Sequence, residues 1–268
     1  MSKFHGIARA ESGRISSMLR AGGFTLLTCT MVLSILALPA LTSASAEADT
    51  SVEDATAAFP TPEDVIRHFC QALAANDFEA ALDACAVREQ AEGFDFSGYV
   101  DRMKMHMPVT NPAPSTSDMY RDLNEAAILG GFTGQIKTLS YSFFVTDGLD
   151  GKPVTPADRA YAETFEEAVD PKKLADLRLL RVDPPMKFTL ESEKNMENFS
   201  EMAKLYGAEE MTERIVLYEL DGRTFMGGFG LYRYASGWRI CRLYSNLAGL
   251  SPTGAAVAAT EQQYVEML

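Results

Sequence analysis

Histidine is nearly missing from this 268-residue chain, with three residues, and cysteine is scarce, with four. Only His68, His106, Cys70, Cys85 and Cys241 lie beyond the N-terminal fifty residues. None of them stands beside another His, Cys or carboxylate at metal-ligand spacing, so no metal is expected. No glycine-rich phosphate loop, nucleophile elbow or His/Glu zinc helix occurs either. These gaps leave no catalytic residue and no cofactor to name. Positive charge is also short, with 24 Lys and Arg against 37 Asp and Glu, a net −13. Such a surface repels phosphate backbones and anionic lipid headgroups, so nucleic acid is not an expected partner.

Long apolar runs are rare too, and the one at residues 24–41 belongs to a processing signal. Lys3, Arg9, Arg14 and Arg20 form a basic leader ahead of it, and Ala44-Ser45-Ala46 supplies a small-residue cleavage pattern. Residues 1–46 are therefore expected to be a signal peptide, which makes the protein secreted or placed at the cell surface. An uncleaved anchor is the alternative, because the run is long enough to span a bilayer. No second run is, so no membrane span is expected after cleavage. Removing the leader's four bases and one acid takes the net charge to −16. Three cysteines then remain, an odd count that leaves at least one thiol free. They read as buried thiols, with a Cys70–Cys85 bridge between adjacent helices as the alternative.

Residues 47–60 are acidic and aperiodic, a flexible spacer. A helix is expected from Thr61, which caps, with Pro62 in the first turn and Val65, Ile66, Phe69, Cys70 and Leu73 as its apolar stripe. Asn76-Asp77 breaks it and caps a second helix with Ala81, Leu82 and Cys85 inward. A third carries Val100, Met103 and Met107. Ser117 caps a fourth, read as ending at Gly130-Gly131, and Leu139, Tyr141, Phe143 and Val145 alternate as a strand would. Asp147 to Pro153 is turn chemistry, and Thr155-Pro156 opens another helix. Short strands are expected at 177–182 and 186–190, then a helix capped by Ser192 with Met196, Phe199, Met202 and Tyr206 inward.

Residues 214–247 read as three antiparallel strands. Asp221-Gly222 is a type I′ hairpin pair, and Ala235-Ser236-Gly237 closes a second hairpin. Pairing Tyr234 with Trp238 places Ile215, Leu217, Glu219, Thr224, Met226, Tyr232, Tyr234, Trp238, Ile240, Arg242 and Tyr244 on one face. Val216, Tyr218, Leu220, Phe225, Phe229, Leu231, Cys241 and Leu243 fall on the other, which resembles a core face. The first mixes aromatics with Arg and Glu and is expected to line a cavity. Gly227, Gly228 and Gly230 allow the long middle strand to bend.

Residues 61–87, with Phe69, Ala72-Leu73 and Asn76-Asp77-Phe78-Glu79-Ala80-Ala81-Leu82, resemble the opening helices of the nuclear transport factor two-like (cystatin-like, SnoaL-like) superfamily. Residues 222–247, with the Gly237-Trp238-Arg239-Ile240 return, are similar to its closing sheet. The resemblance implies an α+β fold of helices on a strongly curved, cone-like antiparallel sheet with an internal pocket, in an exported bacterial protein. It implies no fixed catalytic residue, because the superfamily's enzymes share none. The domain would occupy residues 61–250, with an inserted helical segment or second unit at about 147–211 and a tail or short helix at 251–268.

Arg242 is the polar residue that stands out, mid-strand on the cavity-like face. A ligand pocket walled by Tyr232, Trp238 and Tyr244 and closed at its base by Arg242, with Glu219 as a further pocket candidate, would recognise a carboxylate. The structural alternative is an Arg–Glu pair. The missing acid–base constellation favours a non-catalytic ligand-binding or interaction module. Its partner would be a small molecule or an extracellular or cell-wall component, and a homodimer is compatible with the sequence. A lyase- or isomerase-type pocket enzyme, with His68, His106 or a desolvated carboxylate in the cone, is the alternative.

Overall fold

The computed structural model describes residues 58–104, 112–146, 148–149 and 158–268. The leader, the spacer up to residue 57, His106, Met107 and the Thr155-Pro156 helix start lie outside the described residues. The N-terminal helices form where capping chemistry directs them. In α1 (Pro62–Ala74) the Thr61 hydroxyl accepts from the Asp64 amide at 3.2 Å, and Val65, Ile66 and Phe69 are fully buried. Asp77 caps α2 (Phe78–Asp83) in the same way. Two short helices follow, α3 (Val87–Gly93) and α4 (Phe96–Met103).

The sequence pattern misleads next. α5 (Asp118–Ser142) runs straight through Gly130 and Gly131 and occupies most of the expected strand at 139–145. Phe132, Ile136, Leu139 and Phe143 are buried at spacings of four, three and four, the spacing of one helix face. Burying that stripe outweighs roughly 1 kcal/mol of helix propensity lost at each glycine. Tyr141 and Val145 alternate with Leu139 and Phe143 only by coincidence of spacing. After α6 (Arg159–Ala168) and a 3-10 turn (Pro171–Asp176), β1 (Arg178–Asp183) forms as expected. The second short strand does not. Residues 187–190 make the single-turn helix α7 (Lys187–Leu190), entered through Met186 in the left-handed region at φ 42°. α8 (Glu193–Leu205) then leads into the sheet.

The sheet is antiparallel and open, ordered β1, β2 (Glu210–Leu220), β3 (Arg223–Tyr234), β4 (Gly237–Arg242), with the two-residue β5 (Val257–Ala258) also on β3. A short C-terminal helix, α9 (Glu261–Val265), carries a full capping box between Thr260 and Gln263. Asp221 and Gly222 have φ of 52° and 71°, the hairpin turn that their pairing requires. The α+β class is as expected.

The register of β4 differs from expectation. Tyr234 pairs with Gly237 rather than Trp238, and Leu231 with Ile240. This one-residue slip carries Trp238 and Ile240 onto the same face as Val216, Tyr218, Phe229 and Leu231, where they join the core under α1. A bulge at Cys241 then returns Arg242 to the opposite face, opposite Gly230. The slip is favoured because it buries a Trp and an Ile that the other register would leave off the core. The edge of β4 is covered by the Phe59 carbonyl, which accepts from the Trp238 amide at 2.8 Å, and by Ala84 and Ala86 against Ile240.

Both faces of the sheet are therefore closed. The α1, α2 and α5 side holds the large core. The other side carries two smaller clusters, one made by Ile215, Leu217, Met226 and Tyr264, the other by Phe199, Ala203, Met211 and Tyr232.

Candidate functional site

Between those two smaller clusters lies a buried carboxylate that the sequence reading passed over. Glu213, on β2, has no exposed surface. It accepts from the Arg242 guanidinium, from the Ser245 hydroxyl at 2.6 Å, and from the Asn246 and Leu247 amides at 3.3 and 3.0 Å. Ser245 Oγ in turn accepts from the Ala248 amide at 3.1 Å. One carboxylate thus ties β4 to the loop that follows it. The glycines of β3 make room for this arrangement. A Cβ on Gly228 would stand 2.5 Å from the Ser245 nitrogen, and one on Gly230 would stand 2.6 Å from Arg242 Nε. The glycines were the signal for close approach; reading them only as a bend missed it.

Arg242 also lies over the Tyr244 ring, 5.1 Å from its centroid, and its Nε is buried without a hydrogen-bond partner. Burial opposes its charge, but the neighbouring Cys241 and Glu213 outweigh burial and raise its pKa above the usual arginine range. Of the residues expected to surround Arg242, the structure brings Tyr244 into contact and places Tyr232 close by, stacked on Tyr206 at 5.6 Å. Burial pushes the Tyr206 hydroxyl up to about 12 and Tyr232 higher still. Trp238 lies on the other face of the sheet, and Glu219 pairs with Arg178 on β1. Arg242 faces Glu213 instead.

Arg239 is a second buried guanidinium. It ion-pairs with Glu89 at 3.2 Å, donates to the Trp238 carbonyl and lies over the Phe59 ring. His68 is held within hydrogen-bonding distance, 3.1 Å, of the Ala80 carbonyl, with its ring against Phe59. The three described cysteines are free thiols, and burial pushes Cys70 and Cys241 up to about 12 and Cys85 well above its ordinary value. Such thiols are poor nucleophiles. Among the described residues no group of three or more His, Cys, Asp or Glu side chains could hold a metal, and no helix is long and apolar enough to cross a membrane.

An accessible concavity with aromatic walls lies elsewhere. A groove of about 660 Å³ runs between the C-terminal turns of α5 and one side of α6. Tyr141, Tyr161, Phe165, Val145 and Leu149 line it, with Lys137 and Glu166 as its charged members. Tyr141 and Phe165 meet edge-to-face at 5.4 Å and fix the two helices against each other. α6 buries none of its own residues, so its aromatic side chains serve the groove rather than a core. The pattern Tyr141, Phe143, Val145 had hidden this, because it was read as a strand.

No family model matches the sequence, and no curated protein matches it. A solved structure of a cystatin-like protein from Ruminococcus gnavus ATCC 29149 is similar in fold, with a TM-score of 0.50 at 17% identity over 78% of this chain. The chain spans 43% of that protein's length. At that identity the likeness shows the fold alone, a cystatin-like α+β arrangement.

Proposed function

We propose that this is an exported, non-catalytic binding module whose ligand lies in the groove between α5 and α6. One observation carries the reading: an open groove of about 660 Å³ walled by Tyr141, Tyr161 and Phe165, within the size range of small-molecule sites. The aromatic walls suit a flat, largely apolar molecule, and Lys137 and Glu166 offer one charge of each sign for orientation. Arg242 contributes differently. Its charge is taken up by Glu213, so it supports the fold rather than a pocket. The enzyme alternative lacks support from His68, which is engaged with a backbone carbonyl.

Ligand-observed NMR of the protein against a library of aromatic and amphipathic fragments tests this. Binding should concentrate in aromatic fragments and be weakened on Tyr161→Ala, which lines the groove outside the Tyr141–Phe165 contact, while the melting temperature changes little because α6 contributes nothing buried. Hits that survive both Phe165→Ala and Tyr141→Ala would place the ligand elsewhere and end the proposal.

A further inference from the structure

The arginines of this acidic chain are almost all neutralised within it. Among the described residues, every arginine except Arg88 and Arg223 pairs with a carboxylate. Of these two, Arg223 lines a groove. It opens β3 directly after the Asp221-Gly222 turn, and two contacts fix its guanidinium. One Nη donates to the Phe143 carbonyl at 2.8 Å, at the C-terminal end of α5, and the head group lies over the Phe225 ring, 5.2 Å from its centroid. The carbonyl takes up one of the several guanidinium donors and leaves the charge uncompensated. Asp221, the nearest acid along the chain, lines a separate groove with Arg178 and Glu219.

The groove, of about 480 Å³, lies between the end of α5, the start of β3 and the strap of residues 251–258. Hydrogen bonds pin the strap on both sides. The Ala256 amide donates to Ser142 Oγ at 2.9 Å, and the Ala259 amide donates to the Thr224 carbonyl at 3.1 Å. Phe143, Phe144, Phe225 and Val257 give the groove apolar walls, and Ser251 and Thr253 bring hydroxyls. Arg223 is the only charged side chain in its described lining. Apolar walls around one uncompensated cation ask for an anion carried on an apolar body.

We propose that this groove binds a small monocarboxylic acid with an apolar body, and that Arg223 is its receptor. The open donors of Arg223 match a planar carboxylate two at a time, a charge-assisted pair that a single guanidinium completes. Ser251 and Thr253, whose hydroxyls are hydrogen-bonded to each other at 3.0 Å, offer a further donor in the same lining. A phosphate monoester fits less well. Its second charge would meet no second cation in the described lining and would enter the field of a chain of net −13. The site is separate from the aromatic groove. Val145 and Leu149 line both, but Tyr141, Tyr161 and Phe165 line only the other.

Ligand-observed NMR titration of the full chain with phenylacetate, phenylacetamide and phenyl phosphate tests the proposal. Phenylacetate should bind at least about tenfold more tightly than its neutral amide, the size of one charge-assisted pair. Arg223→Gln should remove that preference, and Arg223→Lys, which keeps the charge without the fork, should retain part of it. Arg223→Gln also gives up the bond to the Phe143 carbonyl, so a second variant guards against a loss caused by misfolding. Ala255→Leu narrows the groove, leaves the guanidinium in place, and should weaken phenylacetate by at least about tenfold as well. Tyr161→Ala should leave phenylacetate unaffected, which separates this site from the aromatic groove. No detectable phenylacetate binding, equal affinity for acid and amide, or a carboxylate preference that survives Arg223→Gln would overturn the proposal. Loss of phenylacetate on Tyr161→Ala would overturn it by moving the ligand to the aromatic groove. Tighter binding of phenyl phosphate than of phenylacetate would overturn it by assigning Arg223 to a phosphate.

Discussion

The two faces of the sheet are closed by different means. The α1 and α5 side is closed mainly by apolar side chains, with Phe69 edge-on to Phe229 at 5.6 Å and Phe143 edge-on to Tyr218 and Phe225 at 5.4 and 5.2 Å. Helices cover it, and helices satisfy their own backbone hydrogen bonds. The other side is covered by α8 and by the chain after β4, much of which is loop. A loop laid against a sheet must find partners for its amides, and Glu213 provides them at the seam between the two smaller clusters. A face covered by regular structure can be closed by apolar area alone. A face covered by loop needs a buried acceptor, and that acceptor needs a counter-charge, which is Arg242.

This contrast can be broken most severely from the helix side. Phe69→Ala removes a fully buried ring and should cost about 3–5 kcal/mol, read as a fall in the urea midpoint with the slope unchanged. The same side should fail in alkali. Cys70 is neutral in the fold with its pKa pushed up from 9.0 to about 12 by burial, which outweighs the lowering effect of the nearby Tyr218 hydroxyl. Its contribution is complete below the unfolded thiol pKa and is lost as pH rises through the folded value. Stability should therefore fall between roughly pH 9 and 12, by on the order of 2–3 kcal/mol for this thiol near pH 11. Cys70→Ala should flatten that part of the curve, and an unchanged alkaline profile would show that the thiol is not buried as described.

On the loop side, Glu213→Gln keeps the shape but removes the charge, and should cost about 2–3 kcal/mol. Its signature should be local. Hydrogen exchange should quicken at Leu247 and Ala248 while the α1 amides stay protected; uniform loss of protection would show that the two faces are not separable. Gly228→Ala, which drives a Cβ into the Ser245 backbone, should cost about 1–3 kcal/mol. The smallest effect has the opposite sign. Gly131→Ala, on the open surface of α5 with nothing near the new methyl, should stabilise by about 0.5–1 kcal/mol.

Legibility in the sequence followed the same division. The helix-covered face could be read from residues alone: Thr61 and Pro62 start α1, Asp221-Gly222 turns β2 into β3, and Val216, Tyr218, Leu220, Phe225, Phe229 and Leu231 all fall on the core side. These depend on near neighbours and on simple periodicity. β4 was misplaced because its register depends on a bulge at Cys241, and a bulge follows from tertiary packing rather than from the strand's own pattern. α5 extends past its expected end because Gly130-Gly131 resembles a stop signal until the stripe from Phe132 to Phe143 is found on one core. Arg242 was recognised as unusual, but its partner was not. Glu213 lies 29 residues before it in the chain, and nothing in the local pattern sets it apart from the exposed Glu209 and Glu210.

A framework Arg242, with the proposed ligand held in the aromatic groove, makes a prediction that an anion-receiving Arg242 does not. Arg242→Met, assayed for thermal stability and for ligand binding on the same samples, tests it most directly. Truncating the guanidinium strands the fully buried Glu213 carboxylate, so the melting temperature should fall by several degrees, and Glu213→Leu in the same chain should recover much of the loss. Fragments bound between α5 and α6 should retain their affinity for the folded variant. An unchanged melting temperature, together with loss of a carboxylate ligand that wild type binds, would contradict the account and return Arg242 to the role of an anion receptor.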